Sequence, residues 1–260
     1  MQILSITFQI PFEPIIAGYK INPHLILEYL AFFIAFQYYI FLRKKSNDLI
    51  SSNNRLSIII GAIFGALIGS RLVGYLEQPI LEMSIERFIY LLNVKTIMGG
   101  LFGGLLGVEL MKWKIGEKES SGDLFTLPLI LGIFIGRIGC FLSGILEFTY
   151  GSKTTFFMGM DLGDGLKRHP TSLYELFFLF GLFFFIKKIQ ERNQLERGHV
   201  FQLFMLLYFG FRFFIEFIKP NTFFTLGLSS IQWLCIICYF YYYKTIFKFI
   251  NYANSKLYLL

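Results

Sequence analysis

Three arginines stand inside apolar runs of this chain: Arg71 in 69-GSRLVGY-75, Arg137 in 136-GRIGCFLSG-144 and Arg212 in 208-YFGFRFFIEF-217. Four carboxylates do likewise, Glu28, Glu109, Glu175 and Glu216. A guanidinium presents a planar fork of donors that matches phosphate or carboxylate. At a bilayer centre such a charge costs about 2.5–3.5 kcal/mol, so each needs a partner, a wet cavity or a purpose. Arg212 and Glu216 are four apart and share a helix face, so they either neutralise each other or belong to a site. Arg137 has no acid three or four residues away on either side. Its partner must be another helix or a ligand, and Gly132, Gly136, Gly139 and Gly144 leave little bulk around it. That combination points to an anion site. In a membrane protein the simplest phosphate is a phospholipid headgroup.

A second polar segment is 168-RHPTSLYE-175. Pro170 suits the first position of a helix, which sets Arg168 and His169 just before it and Tyr174 and Glu175 about one turn later. His169 titrates near neutral pH and can act as acid, base or donor. The same residues also suit an interfacial belt at a proline-initiated helix. His24 and Glu28, again four apart, read as a simpler polar anchor.

The elements that position these groups are apolar runs of membrane-spanning length. Seven are expected, at about 25–42, 56–76, 97–113, 124–144, 171–187, 199–218 and 226–247. The third is diluted by Gly99, Gly100, Gly103, Gly104 and Gly107 and interrupted by Glu109, which signals close helix approach or a backbone near a ligand. Fourteen Lys and Arg fall in one set of connecting segments, among them Arg43, Arg55 and Lys112, and seven in the other, among them Arg87 and Lys219. The positive-inside rule then places the N-terminus outside and the C-terminus in the cytoplasm. The longest loops, about 77–96 and 145–170, face outward. The expectation is one all-α, polytopic transmembrane domain over residues 1–260.

Composition narrows the class. Hydrophobic residues make up 55% of 260, and the mean hydropathy of +0.59 is far above that of an ordinary globular domain. The net charge of +7 lies largely in loops beside apolar runs, which favours lipid headgroups over nucleic acid. Cys140, Cys235 and Cys238 all fall within apolar runs, so no extracellular disulfide framework is expected. Cys235 and Cys238 have CxxC spacing but no second pair or nearby histidine, so packed thiols are the plainer reading and no metal site is expected. No cleavable signal peptide is evident in the first 20 residues, which contain Pro11, Glu13 and Pro14.

Taken together, these segments resemble the prolipoprotein diacylglyceryl transferase family, seven-span enzymes of the bacterial inner membrane. In chain order, 69-GSRLVGY-75 is similar to its second-span arginine motif and 99-GGLFGGLLGV-108 to its glycine-rich third span. The signature arginine segment corresponds to 136-GRIGCFLSG-144, the Arg-His-Pro…Leu-Tyr-Glu motif to 168-RHPTSLYE-175, and the sixth-span Arg…Glu motif to 208-YFGFRFFIEF-217. The resemblance implies transfer of a diacylglyceryl group from phosphatidylglycerol to the lipobox cysteine of a preprolipoprotein, with no cofactor. It implies catalytic roles for Arg137, Arg212, Glu216 and His169. Phospholipid contacts are implied at Arg71, Gly99, Gly100, Arg137, Gly139 and Cys140, and at Ser143, Gly144, Arg168, Tyr174, Glu175 and Tyr208.

The chain departs from the family pattern at three positions. Met98 stands where the family carries histidine, and Cys140 and Ser143 stand where it carries asparagine. The glutamate that usually follows the Asn-Gly is also missing. The alternative readings are therefore a catalytically silent paralogue that binds phospholipid headgroups, and an enzyme of the same fold acting on a different acceptor.

Overall fold

The computed structural model describes residues 9–16, 18–46, 48–77, 85, 89, 94–192, 195–221 and 225–257. Each expected run becomes helix. These helices are α1 Pro23–Lys45, α2 Ser52–Glu77, α3 Ile97–Ile115, α4 Asp123–Ser143, α5 Thr171–Glu191, α6 His199–Ile215, α7 Ser230–Tyr241 and α8 Tyr243–Leu257. Four are long and apolar enough to cross a bilayer: α1, α2, α4 with the 3-10 turn to Leu146, and α6 with the turn to Ile218. The loop expected at 77–96, Arg87 included, lies for the most part outside the described residues.

Local chemistry sets the helix ends. Asn22 caps α1 by accepting from the Leu25 N–H, Pro23 occupies the first turn, and Arg43, Lys44 and Lys45 close the last turn against the negative end of the dipole. Thr96 caps α3 through the Gly99 N–H at 3.1 Å, and Gly116 ends it in the left-handed region at φ 69°. The run expected at 226–247 is divided. Leu226 and Gly227 have φ of 64° and 68°, which no right-handed helix accommodates. Ser229 and Gln232 then form a reciprocal capping box that starts α7 at Ser230. With 12 residues, α7 is shorter than the roughly 20 that span a bilayer.

Two short antiparallel pairs interrupt the otherwise helical chain: β1 Ile15–Ile16 with β2 Tyr19–Lys20, and β3 Met160–Asp161 with β4 Lys167–Arg168. The described residues are otherwise mostly helical, as the all-α expectation has it.

The chain divides into two compact units. One holds α1, α4, α5 and the loop between α4 and α5. Here Tyr39 of α1 stacks on Phe125 of α4 with centroids 4.2 Å apart, and Tyr38 meets Phe183 of α5. The other holds α2, α3, α6, α7 and α8. Its tightest contact is the glycine seam between α2 and α3. A Cβ at Gly65 would strike the Gly103 carbonyl, one at Gly69 the Gly99 carbonyl and one at Gly107 the Gly61 carbonyl. Small residues bring the two backbones into direct contact, which is how helices associate when lipid is as apolar as the side chains.

Burial is inverted relative to a water-soluble protein. Phe32, Phe33, Phe36, Phe64, Phe177 and Phe180 are exposed, while Arg55, Arg137, Glu175, Arg212 and Glu216 are buried. Large apolar side chains therefore face outward along the helices, and charge is kept within the protein.

Candidate active site

Arg137 finds its partner on another helix. Its Nε lies 2.9 Å from Oε1 of Glu175, with side chains 7% and 3% exposed. Glu175 sits one turn into α5, where Pro170 immediately precedes the first helical residue. The loop before it is tied down by its own backbone: Gly151 donates to the His169 carbonyl at 2.8 Å, and His169 donates to Ser152 at 3.1 Å. Thr171 and Ser172 both donate their hydroxyls to the Thr149 carbonyl. These bonds fix the start of α5 and hence the depth at which Glu175 enters.

The glycines around Arg137 are not open space. A Cβ at Gly139 would meet the His24 backbone at 3.1 Å, and one at Gly132 would meet Ala35 at 3.2 Å, so both admit α1 against α4. Gly144 has φ of 55° and lies under the Leu162 carbonyl. Gly136 alone among the four has nothing within 4 Å. The expectation that all four leave room for a ligand is corrected: three of them receive the chain itself.

Cys140, one turn beyond Arg137, is 8% exposed. Its Sγ lies 3.7 Å from Nη1 of Arg137 and 3.6 Å from Nε2 of His24. His24 Nδ1 in turn lies 3.4 Å from Glu147. His24, expected as a polar anchor, instead meets the sulfur of Cys140 and the carboxylate of Glu147. Nothing in local spacing joins them to Cys140, since His24 and Cys140 are 116 residues apart. The same end of α4 meets the start of α5 in a small crevice lined by Cys140, Gly144, Thr149, Tyr150, Pro170 and Ser172. Ser143 is buried beside it in the chain.

His169 Nδ1 and the Tyr174 hydroxyl stand 3.1 Å apart. Arg168 is held by Asp164 through Nε at 2.7 Å and Nη2 at 2.6 Å, and its guanidinium lies 5.1 Å from the Tyr150 ring centroid. The Arg168 hydrogen bond holds the Asp164 carboxyl below the usual carboxylate range.

In the second unit Arg212 and Glu216 do pair, at 2.5 Å, with Glu216 fully buried. Asn221 donates its amide to the other oxygen of the Glu216 carboxylate. Tyr208 is fully buried and stacks on Phe204. Arg71 donates to the Val94 carbonyl at 2.7 Å. Gly99 belongs to the helix seam, and a Cβ at Gly100 would make only ordinary contact with Ser70. Met98 is 1% exposed. Arg55, counted above as a loop cation, is instead buried in the first turn of α2, bonded to Asp48 and to the Ser121 carbonyl.

These buried Arg–Glu pairs fall in three of the sequence segments that carry the family resemblance. Residues 15–247 match the family described as prolipoprotein diacylglyceryl transferase. The chain belongs to that family. Among similar proteins, the phosphatidylglycerol–prolipoprotein diacylglyceryl transferase of Nitratidesulfovibrio vulgaris strain DP4 is 34% identical over 69% of this chain and 66% of its own length. The chain thus spans just under two thirds of that relative. The transferase of the same name from Idiomarina loihiensis is 30% identical over 81% of this chain and 82% of its own. That from Wolbachia pipientis subsp. Culex pipiens is 33% identical over 72% and 73%. Membership of the family agrees with the membrane-length helices.

Proposed function

We propose that this chain transfers the diacylglyceryl group of phosphatidylglycerol to the lipobox cysteine thiol of preprolipoproteins. It would act in the bacterial inner membrane as a seven-span protein with its N-terminus outside and its C-terminus in the cytoplasm. The observation that carries the reading is the buried Arg137–Glu175 pair beside Cys140 and His24, in the segment most similar to the family signature. A fixed guanidinium in a dry site binds the phosphodiester and stabilises charge that grows on phosphate oxygen as the ester C–O bond breaks. Glu175 holds that guanidinium in orientation. Arg212, set by Glu216 and Asn221, is a second fixed guanidinium suited to phosphate. His169 and Tyr174 serve as outer contacts for substrate, with Arg168 on the headgroup side. The reaction needs no metal or cofactor.

Buried Met98 favours a second reading, because a thioether accepts no proton. On that reading the chain binds the headgroup without transfer, or serves another acceptor. Complementation of a transferase-depleted strain separates the two. Rescue that Arg137→Ala abolishes and Met98→Ala leaves intact supports the transferase. Good membrane expression and phosphatidylglycerol binding without rescue overturns it.

A further inference from the structure

Glu147, His24 and Cys140 form a continuous line of titratable groups that rises from the protein interior to its surface. The Cys140 residue is 8% exposed, the His24 side chain 13% and the Glu147 side chain 42%. Sγ to Nε2 is 3.6 Å, and Nδ1 to Oε1 is 3.4 Å, so each ring nitrogen of His24 faces a different partner. Gly139 makes this approach possible, because a Cβ there would press on the His24 backbone. On its other side the sulfur faces Arg137 Nη1. The further charged groups near the pair are Glu28, one turn along α1, and Glu175, which is bound to Arg137.

Thiol, imidazole and carboxylate in this order are the parts of an activated thiol. The sulfur stands between a guanidinium and an imidazole, both of which stabilise a thiolate. The carboxylate orients the imidazole.

We propose that Glu147, His24 and Cys140 are a proton relay that deprotonates the incoming acceptor thiol. This rests on the transferase reading above. The Cys140 thiolate takes the proton of the acceptor S–H. The acceptor sulfur then forms a bond to the glycerol carbon of the donor lipid, the C–O bond to phosphate breaks, and its electron pair leaves on phosphate oxygen. One proton passes from His24 to solvent at the Glu147 end, and Cys140 returns its own to His24. Proton transfer from the acceptor thiol to a stabilised thiolate is uphill, and passing the proton on to solvent draws it forward. Cys140 itself forms no carbon bond. In this scheme His24 and Glu147 are positioning and proton-carrying residues, and Cys140 is the group that meets substrate.

The test separates the relay from the transferase reading. The full-length protein in detergent is alkylated with iodoacetamide across pH 6–9.5, and each cysteine is followed by mass spectrometry. Cys140 is expected to react well ahead of buried Cys235 near pH 7. His24→Gln, which keeps the hydrogen-bonding shape but carries no proton, is expected to slow Cys140 about tenfold or more at pH 7. The difference should close at high pH, where any thiol is ionised. A variant that merely misfolds would also change Cys235, so that residue is the internal control. Glu147→Gln should give a smaller loss of the same kind. Transfer activity of His24→Gln is measured alongside. A Cys140 rate that is the same with and without His24 at pH 7 overturns the relay, whatever the transfer assay shows. Wild-type transfer that persists undiminished in His24→Gln overturns it as well, and leaves the transferase standing. Absence of wild-type transfer together with His24-dependent alkylation removes the transferase reading and its acceptor, and leaves an activated thiol.

Discussion

Glu175 of α5 meets Arg137 of α4 at 2.9 Å, with both side chains buried. Breaking a buried pair by removing one partner strands the other charge, which costs about 3–5 kcal/mol. Glu175→Ala should therefore lower the unfolding temperature of the detergent-solubilised protein sharply. Glu175→Gln, which keeps a hydrogen-bond acceptor, should cost less. Arg137→Ala should also reduce transfer by at least about 10²-fold if the guanidinium stabilises the leaving phosphate. Wild-type stability in Glu175→Ala would show that the pair does not hold these helices.

The seam between α2 and α3 gives a position-specific pattern. Gly65→Ala puts a Cβ into the Gly103 carbonyl and should destabilise the protein, whereas Gly104→Ala meets only ordinary contacts at 3.5 and 3.6 Å and should be near neutral. Thermal unfolding of the two variants side by side is the check. Each variant exchanges one glycine for alanine, so composition alone predicts no difference.

Arg55 tests how a buried guanidinium differs from an ammonium. It bonds Asp48 through Nε and Nη2 and the Ser121 carbonyl through Nη1. Lysine cannot reproduce that fork. Arg55→Lys should lose most of the stability lost in Arg55→Ala, about 3–5 kcal/mol for the latter. Denaturation of the two variants compares them directly, and full rescue by lysine would contradict the geometry.

The β3–β4 loop should respond to acid. Arg168 lowers the folded pKa of Asp164, so this tie is present above the ordinary aspartate range near pH about 3.9 and is lost as pH falls through the lower folded value. Hydrogen-exchange protection of residues 161–168, corrected for intrinsic rates, should fall in acid. Asp164→Asn should show reduced protection already at neutral pH and little further change below.

Much of this architecture is legible without coordinates, because a bilayer imposes a length of apolar chain that local composition reports directly. The starts of α1 and α5 follow from Asn22-Pro23 and Pro170, and the Arg212–Glu216 pair from four-residue spacing. What escaped was of two kinds. Helix breaks depend on backbone geometry: Leu226 with positive φ delays the start of the last apolar helix to Ser230, although Ser229-x-x-Gln232 is a readable capping signal. Contacts between helices depend on packing, so neither Glu175 as the partner of Arg137 nor His24 against Cys140 could be found from spacing. Arg55 was misplaced because polar Ser52, Asn53 and Asn54 beside it look like a loop while forming the first turn of α2. The glycines near Arg137 signalled close approach correctly, but the approaching body is α1.

Backbone pressed on backbone along α2 and α3 leaves no compressible layer between them. Side chains can change rotamer to let helices slide, but glycine has none to change. The two helices therefore behave mechanically as a single stiff lever rather than as two independent rods. A probe placed on α2 is therefore expected to report the position of α3.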